Sequence, residues 1–343
     1  MALYNPFASK YKGLKVQPGY FHYQQQVMSK VNRNNALPRG YPLKHYRIEK
    51  TIGGGGFSMV YLATDNTTQL RVAIKEYLPC HHATRLKNAA VQCVSEENAN
   101  AFRLGFSRFF DEAAALAKVN HPNIVHVQDV FRANNTAYMV MDYENGKDLR
   151  YYIKRHEGNL SEKFIRTVFP ELLLGLQELH RRNLLHLDIK PANIFLRPGG
   201  KPLLLDFGAV REAMIGSKLT GPNTLTRGFA PIEQHQHKTL GPWTDLYAIG
   251  ASMYACLCAK APPAATKRIV KDELKPTTRT SFGRLYSVQL LEAVDWCLQL
   301  DPRDRPQNVQ QLLDFLNDES SDLALELRTP WYLTPITLPW TKK

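Results

Sequence analysis

Alternation of apolar and polar positions begins at about residue 46 and predicts three short strands, Tyr46–Gly53, Met59–Asp65 and Leu70–Tyr77. Turn-forming residues separate them: Gly53–Gly56 after the first, Asn66-Thr67-Thr68 after the second. The period then lengthens. Over Glu97–Lys118 the apolar positions Phe106, Phe109, Phe110, Ala113 and Leu116 fall at helical spacing, and Ser95 is a candidate N-cap. Two further strands are expected at Ile124–Phe131 and Thr136–Asp142. After Gly146 the helical period dominates. Ser161–Arg182 places Phe164, Ile165, Val168, Leu172, Leu176 and Leu179 on one face, and later helices are read near Trp243–Cys258, Val288–Leu298 and Asn308–Leu316. A strand-rich part followed by a helix-rich part predicts an α+β fold of two lobes around a cleft. Residues 1–46 sustain no period and read as an extension, although Tyr20, Phe21 and Tyr23 are aromatic enough to dock on a folded surface. No internal repeat of 20–50 residues is visible.

Composition narrows this picture. The 343 residues are 44% apolar, with ordinary Gly and Pro, which describes a globular chain with a sizeable core. No apolar run approaches the roughly 18–20 residues of a membrane-spanning helix. The start, Met1-Ala2-Leu3-Tyr4-Asn5-Pro6, has neither a signal-peptide layout nor a Gly for myristoylation. The expectation is therefore a cytoplasmic protein. The five cysteines, Cys80, Cys93, Cys256, Cys258 and Cys297, lack Cys-x-x-Cys spacing and read as free thiols. The net charge is +13, and no Asp or Glu precedes Glu49, whereas Lys10, Lys12, Lys15, Lys30, Arg33, Arg39, Lys44 and Arg47 do. Such a tail is either a solvated extension or a site for an anionic surface, such as nucleic acid, lipid headgroups or an acidic partner. No specific nucleic-acid binding is expected.

The candidate chemistry starts at Ile52-Gly53-Gly54-Gly55-Gly56-Phe57-Ser58-Met59-Val60. Glycines allow backbone amides to approach phosphates, though a plain hairpin has the same look. Val72-Ala73-Ile74-Lys75 then carries one Lys among apolar residues. It either snorkels to solvent or points into a cleft, where a carboxylate must hold it. Glu112, set among Phe109, Phe110, Ala113 and Leu116, is that carboxylate, since burying it unpaired would be costly. Two further segments follow: His186-Leu187-Asp188-Ile189-Lys190-Pro191-Ala192-Asn193 and Leu203-Leu204-Leu205-Asp206-Phe207-Gly208. They supply a carboxylate to orient an attacking hydroxyl, a cation for a moving phosphate, and a carboxylate and an amide oxygen of the kind Mg²⁺ prefers.

In this order, these segments resemble the protein kinase superfamily over residues 46–317, and specifically the bacterial serine/threonine type. The resemblance implies a small antiparallel-sheet lobe with one helix (47–145), a larger helical lobe (146–317) and a tail (318–343). It implies Mg-ATP as phosphoryl donor, a protein Ser/Thr hydroxyl as acceptor, and autophosphorylation at candidates such as Ser217, Thr220 and Thr224. By resemblance, Gly53, Gly54, Gly55, Gly56 and Ser58 would cover the phosphates, with Phe57 at the tip. Lys75 would contact the α- and β-phosphates and pair with Glu112. Asp188 would be the base, Lys190 would contact the γ-phosphate, Thr226 would bond to both, and Asn193 and Asp206 would bind Mg²⁺. Asp142, Tyr143 and Glu144 would form the hinge to adenine, beside Met141. Val60, Ala73 and Phe195 would sandwich the ring, and Asp148 would face the ribose. Leu116, Val127, His186 and Phe207 would stack between the lobes. Asp245 would anchor the catalytic loop, and Glu233 would pair with Arg305 beneath a peptide substrate.

Three features depart from the family pattern. Ser58 replaces the third glycine, Pro231-Ile232 replaces Ala-Pro before Glu233, and Leu187 replaces the Arg before the catalytic Asp. That Arg binds an activation-loop phosphate, so dependence on such a phosphate is not expected. Two rival readings are a scaffold without catalysis and a small-molecule kinase. The first is opposed by the presence of Lys75, Asp188, Asn193 and Asp206, the second by the Glu233 and Arg305 framework. His81-His82 and the pair His235 and His237 read as loop histidines. Trp331 and Trp340 suggest a tail that docks on its own domain or a partner.

Overall fold

A computed structural model describes residues 35–206, 225–236 and 238–318 of the chain. The first lobe runs β1 (Pro42–Leu43), β2 (Tyr46–Gly54), β3 (Ser58–Asp65), β4 (Arg71–Tyr77), β5 (Ala83–Arg85), β6 (Val91–Cys93), α1 (Ala99–Leu116), β7 (Val127–Ala133) and β8 (Thr136–Asp142). Six of these strands form one antiparallel sheet in the order β1-β2-β3-β4-β8-β7, and β5 and β6 make a separate hairpin. Strand β4 lies inside the sheet and is buried at every position after Arg71. Its register sets Lys75 between Val60 and Met139. Because side chains alternate along a strand, Ala73 and Lys75 face the cleft while Ile74 and Glu76 face the rear.

Helix α1 covers the sheet with Phe109, Glu112, Ala113 and Leu116. It starts after a 3₁₀ turn at Glu96–Asn98, and Ser95 makes no side-chain cap bond to that turn. The strand expected from Ile124 begins instead at Val127. Ile124 and Val125 instead cross to the other lobe, where Val125 N–H donates to Leu204 O at 3.1 Å. The segment before residue 47, read as an extension, also differs. Leu37 and Leu43 are buried in the same core as Tyr46, Ile48 and Tyr61, so residues 35–43 form part of the lobe. Two apolar residues six apart are too few to give a periodic signal.

The second lobe contains α2 (Leu149–Arg155), α3 (Glu162–Arg181), α4 (Ile232–His235), α5 (Pro242–Cys258), α6 (Ala265–Arg268), α7 (Val288–Cys297) and α8 (Val309–Asn317). A three-stranded sheet of β9 (Lys147–Asp148), β10 (Ile194–Leu196) and β11 (Pro202–Leu204) lies under the cleft. Helix α3 is capped by Ser161, whose Oγ accepts from Phe164 N–H, and it buries the apolar face read from the sequence. Helix α5 is apolar on nearly all sides and is enclosed accordingly. Between the lobes, Gly146 has φ +156°, and a Cβ there would stand 2.1 Å from Leu196 O. Glycine thus lets the connection pass against β10.

Candidate active site

The roof of the cleft is built from β2, β3 and β4. Gly55 N–H donates to Ser58 O at 2.9 Å and closes the turn between the first two strands. Lys75 Nζ lies 3.2 Å from Glu112 Oε1 and 2.7 Å from Asp206 Oδ1. The Asp206 contact is the shorter one, and the sequence reading paired Lys75 with Glu112 alone. Burial works against the Lys75 ammonium, but the Asp206 and Glu112 carboxylates outweigh it and raise its pKa. Lys75 in turn lowers the pKa of Asp206. Glu112 goes the other way: burial raises its pKa more than Lys75 lowers it.

The floor is organised around Asp188. Lys190 Nζ donates to both carboxylate oxygens, at 3.0 and 2.8 Å. Thr226 Oγ1 lies 3.0 Å from Asp188 Oδ1 and 3.1 Å from Lys190 Nζ. Asn193 Nδ2 donates to Asp188 O and Oδ2 at 2.9 and 3.1 Å. Just before Asp188, Leu187 adopts φ +61°, a left-handed conformation unfavourable for a residue with a branched side chain. Buried Asp245, in the first turn of α5, holds it there by accepting from His186 N–H at 2.9 Å and Leu187 N–H at 2.8 Å. His180 Nε2 is 2.8 Å from the same carboxylate, a partner with no motif to announce it. Burial would raise the pKa of Asp245, but His180 and these backbone donors bring it below the usual value. His186 is buried, which lowers its pKa and favours the neutral ring. Asp188 N–H points at its Nδ1, and its Nε2 faces Leu205 O.

A cavity of about 310 Å³ lies between roof and floor. Of the expected residues, Gly54, Gly55, Ser58, Val60, Ala73 and Lys75 line it from above. Met141, Asp142, Tyr143 and Glu144 line its back, and Lys190, Asn193, Phe195 and Asp206 line it from below, with Glu112 behind Lys75. Gly53 instead pairs with Val60 in the sheet, and Phe57 projects into solvent at 55% exposure beside Gly56. Asp188 and Thr226 sit beside the cavity through their contacts to Lys190 and Asn193. Asp148 does not line the cavity. It caps α2, accepting from Tyr151 N–H at 3.1 Å, and binds Arg150 at 2.7 Å. Arg150 lines the cavity in its place, a residue that no sequence motif marks. Leu116, Val127 and His186 are all buried. Phe207, Gly208, Ser217, Thr220, Thr224, His237, the basic positions up to Arg33, and Trp331 and Trp340 lie outside the described residues.

Among the described residues, no cluster of three or more His, Cys, Asp or Glu is placed to hold a metal. The donors that face the cleft are an amide and a carboxylate. Asn193 commits its nitrogen to Asp188, which leaves its oxygen for a cation, and the Asp206 side chain is 48% exposed. Two hard oxygens suit Mg²⁺, which keeps waters and phosphate oxygens for its remaining positions. Further back, Arg305 donates to Glu233 at 2.7 and 3.0 Å beneath α4. Among the described residues, no helix is long and apolar enough to cross a membrane.

Comparison with known proteins agrees with this geometry. The protein kinase domain family model matches residues 46–315. The chain is 30% identical to the serine/threonine-protein kinase PknA of Nostoc sp., over 79% of this chain and 46% of that protein. It is also 30% identical to the serine/threonine-protein kinase F of Synechocystis sp., over 78% of this chain and 54% of that one. The chain thus spans about half the length of these curated relatives. Among solved structures, the apo form of PpkA-294 is 33% identical and superimposes with a TM-score of 0.73, covering 82% of this chain and 99% of that one. This chain belongs to the protein kinase family.

Proposed function

We propose that the chain is a serine/threonine protein kinase that transfers the γ-phosphoryl group of ATP to protein hydroxyls, itself included. The observation that carries this reading is the Asp188 carboxylate, held by Lys190, Thr226 and Asn193 on the floor of a cleft whose roof carries Lys75. Asp188 orients the acceptor hydroxyl and takes its proton as the new O–P bond forms. Lys190 sits beside it, placed to hold the phosphoryl oxygens in line. Lys75, kept charged by Asp206 and Glu112, neutralises the phosphates nearer the nucleoside. Magnesium, held by Asn193 and Asp206, would supply charge neutralisation on the phosphate oxygens. Little covalent chemistry falls to the protein, so positioning and charge carry the rate.

The glycine loop supports the phosphate reading. A Cβ at Gly55 or Gly56 would meet no protein atom within 4 Å, and neither residue has a positive φ. Packing within the chain does not call for glycine there, whereas close approach of backbone amides to phosphate does. A protein acceptor, rather than a small molecule, is favoured by the Glu233–Arg305 pair, which stiffens the floor beyond Thr226. Leu187, packed with Leu185 and Leu240, puts an apolar side chain where the family's phosphate-binding Arg stands. The unmodified chain is therefore expected to be active.

Intact mass after incubation with Mg-ATP and a generic protein acceptor tests the reading. The wild-type chain should add phosphate to Ser and Thr, and Asp188→Asn should lower the rate by ~10²–10⁴-fold, the usual worth of a positioned base. ATP binding by the wild type without transfer to any acceptor would show a scaffold instead.

A further inference from the structure

Between β4 and α1 the chain detours through residues 78–98, none of which the phosphoryl-transfer reading uses. The detour is built on a buried ion pair. Glu76 follows Lys75 on the same strand but faces the rear, and is 0% exposed. Its carboxylate accepts from Tyr61 OH at 2.6 Å, Tyr138 OH at 2.5 Å and Arg85 Nη2 at 2.5 Å. Arg85 also donates Nη1 to Ala89 O at 2.7 Å and Nε to Asn35 O at 2.6 Å. One guanidinium thereby joins three parts of the chain: strand β4, the β5–β6 hairpin, and the segment that precedes β1.

From this anchor the detour reaches both edges of the cleft roof. At one end, Leu78 N–H donates to Phe57 O and Cys80 N–H to Gly56 O, both at 2.9 Å. These bonds continue the β3–β4 ladder beyond the Ser58 and Tyr77 pair to the tip of the glycine loop. At the other end, His82 Nδ1 lies 2.6 Å from Asn98 Oδ1, and Asn98 is the residue from which α1 starts. Between the two ends, the Tyr77 ring packs on Phe102 and Phe109 of α1, and its hydroxyl donates to Phe102 O at 3.3 Å.

We propose that residues 78–98 are a brace that fixes the glycine loop and the start of α1 relative to Lys75, with Arg85 as the positioning residue that anchors it. The brace rests on the kinase reading for its consequence: the Lys75–Glu112 contact and the phosphate-covering loop are set before substrate arrives. Preset geometry lowers the cost of binding and of reaching the reactive arrangement.

The test uses the full chain carrying Arg85→Met together with Glu76→Gln, which removes the ion pair without leaving a lone buried charge. Amide hydrogen exchange is read without nucleotide, and initial rates are read against ATP concentration. Exchange should rise at Gly54–Ser58, Leu78–Cys80 and residues 98–105 and stay unchanged in α3, and KM for ATP should rise about 10-fold or more with a smaller change in kcat. Arg85→Lys, which keeps the charge but not the three-way junction, should recover part of the KM. Exchange rising equally in both lobes with KM unchanged would mean that the pair only stabilises the fold, and would overturn the proposal. If the double variant does not fold, Asn98→Ala decides the matter: faster exchange at 98–105 with a raised KM supports the brace, and no change at those amides overturns it. A wild-type chain that transfers no phosphate would remove the kinase reading alone, and the exchange measurement would still decide the brace.

Discussion

Arg305 meets Glu233 through two bonds, of 2.7 and 3.0 Å, and gives its other N–H donors to the carbonyls of Gln299, Trp243 and Leu300. Thr244 adds a bond to the same glutamate, and both charged side chains are sealed from solvent. In the other lobe, Lys75 lies between a buried glutamate and an aspartate half open to the cleft. Both ammonium and guanidinium are deep in the protein and opposed by carboxylates, yet only one has capacity left for a ligand. All five N–H groups of Arg305 are in use, so it can only hold the structure together. Lys75 and Asp206 face a cavity in which a phosphate or a cation can complete them. The difference teaches that burial of a charge does not separate structural from functional roles; hydrogen-bond saturation does.

Substitutions can break or sharpen that contrast. Arg305→Met should cost ~3–5 kcal/mol in urea unfolding, because Glu233 is left buried without its partner. Lys75→Met should lower phosphoryl transfer by ~10²–10³-fold, as for the loss of one charge-stabilising donor. Its stability should change less than that of the Arg305 variant, since Lys75's shorter partner, Asp206, is half open to the cleft, whereas Glu233 is sealed from solvent. Equal losses of stability in the two variants would end the distinction. Gly105→Ala probes the helix that carries Glu112. An alanine in an exposed helix gains up to ~1 kcal/mol over glycine. Here its Cβ would stand 2.1 Å from the Tyr77 hydroxyl. A loss of ~1–3 kcal/mol by thermal or chemical unfolding is therefore expected, with reduced activity as α1 shifts.

The smallest effect concerns His186. Its folded-state pKa lies below the ordinary value of 6.5, so below that pH the unfolded chain binds the extra proton first. Its contribution to stability is thus complete above pH 6.5 and declines as the pH falls, by at most about 1.4 kcal/mol per pH unit. Denaturant titrations between pH 6.5 and about 5 should show a shallower decline in His186→Gln than in the wild type. Parallel curves would remove His186 from the acid sensitivity of the fold.

How far the chain could be read in advance differed between residues for physical reasons. The glycine loop, Lys75 and the segment from His186 to Asn193 were readable because each depends on neighbours within a few positions. Glu112 was readable because its apolar flanks make an unpaired charge there too costly. Most of the apolar face of α3 emerged because its period runs over five turns, although Phe169 and Leu173, also buried there, were not read. Other features left no local trace. Asp206 reaches Lys75 across 131 positions. Arg150 enters the cavity because Asp148 turns to cap a helix, and His180 reaches Asp245 only once α3 and α5 pack together. The apolar pair Ile124 and Val125 looked like strand and became a crossing to the other lobe, since a short apolar run does not say which partner it will find.

The order of residues was enough to establish two lobes, the family, and most of the groups that line the cleft, because periodicity and short motifs are properties of adjacent positions. The folded chain was needed to show which charges are saturated and which remain open. It also showed that Glu76, one residue from Lys75, belongs to a rear network that joins β4, the hairpin and the segment before β1 through Arg85. Those outcomes depend on which side chains meet across long stretches of chain, and that is settled by packing of the whole domain rather than by any local pattern.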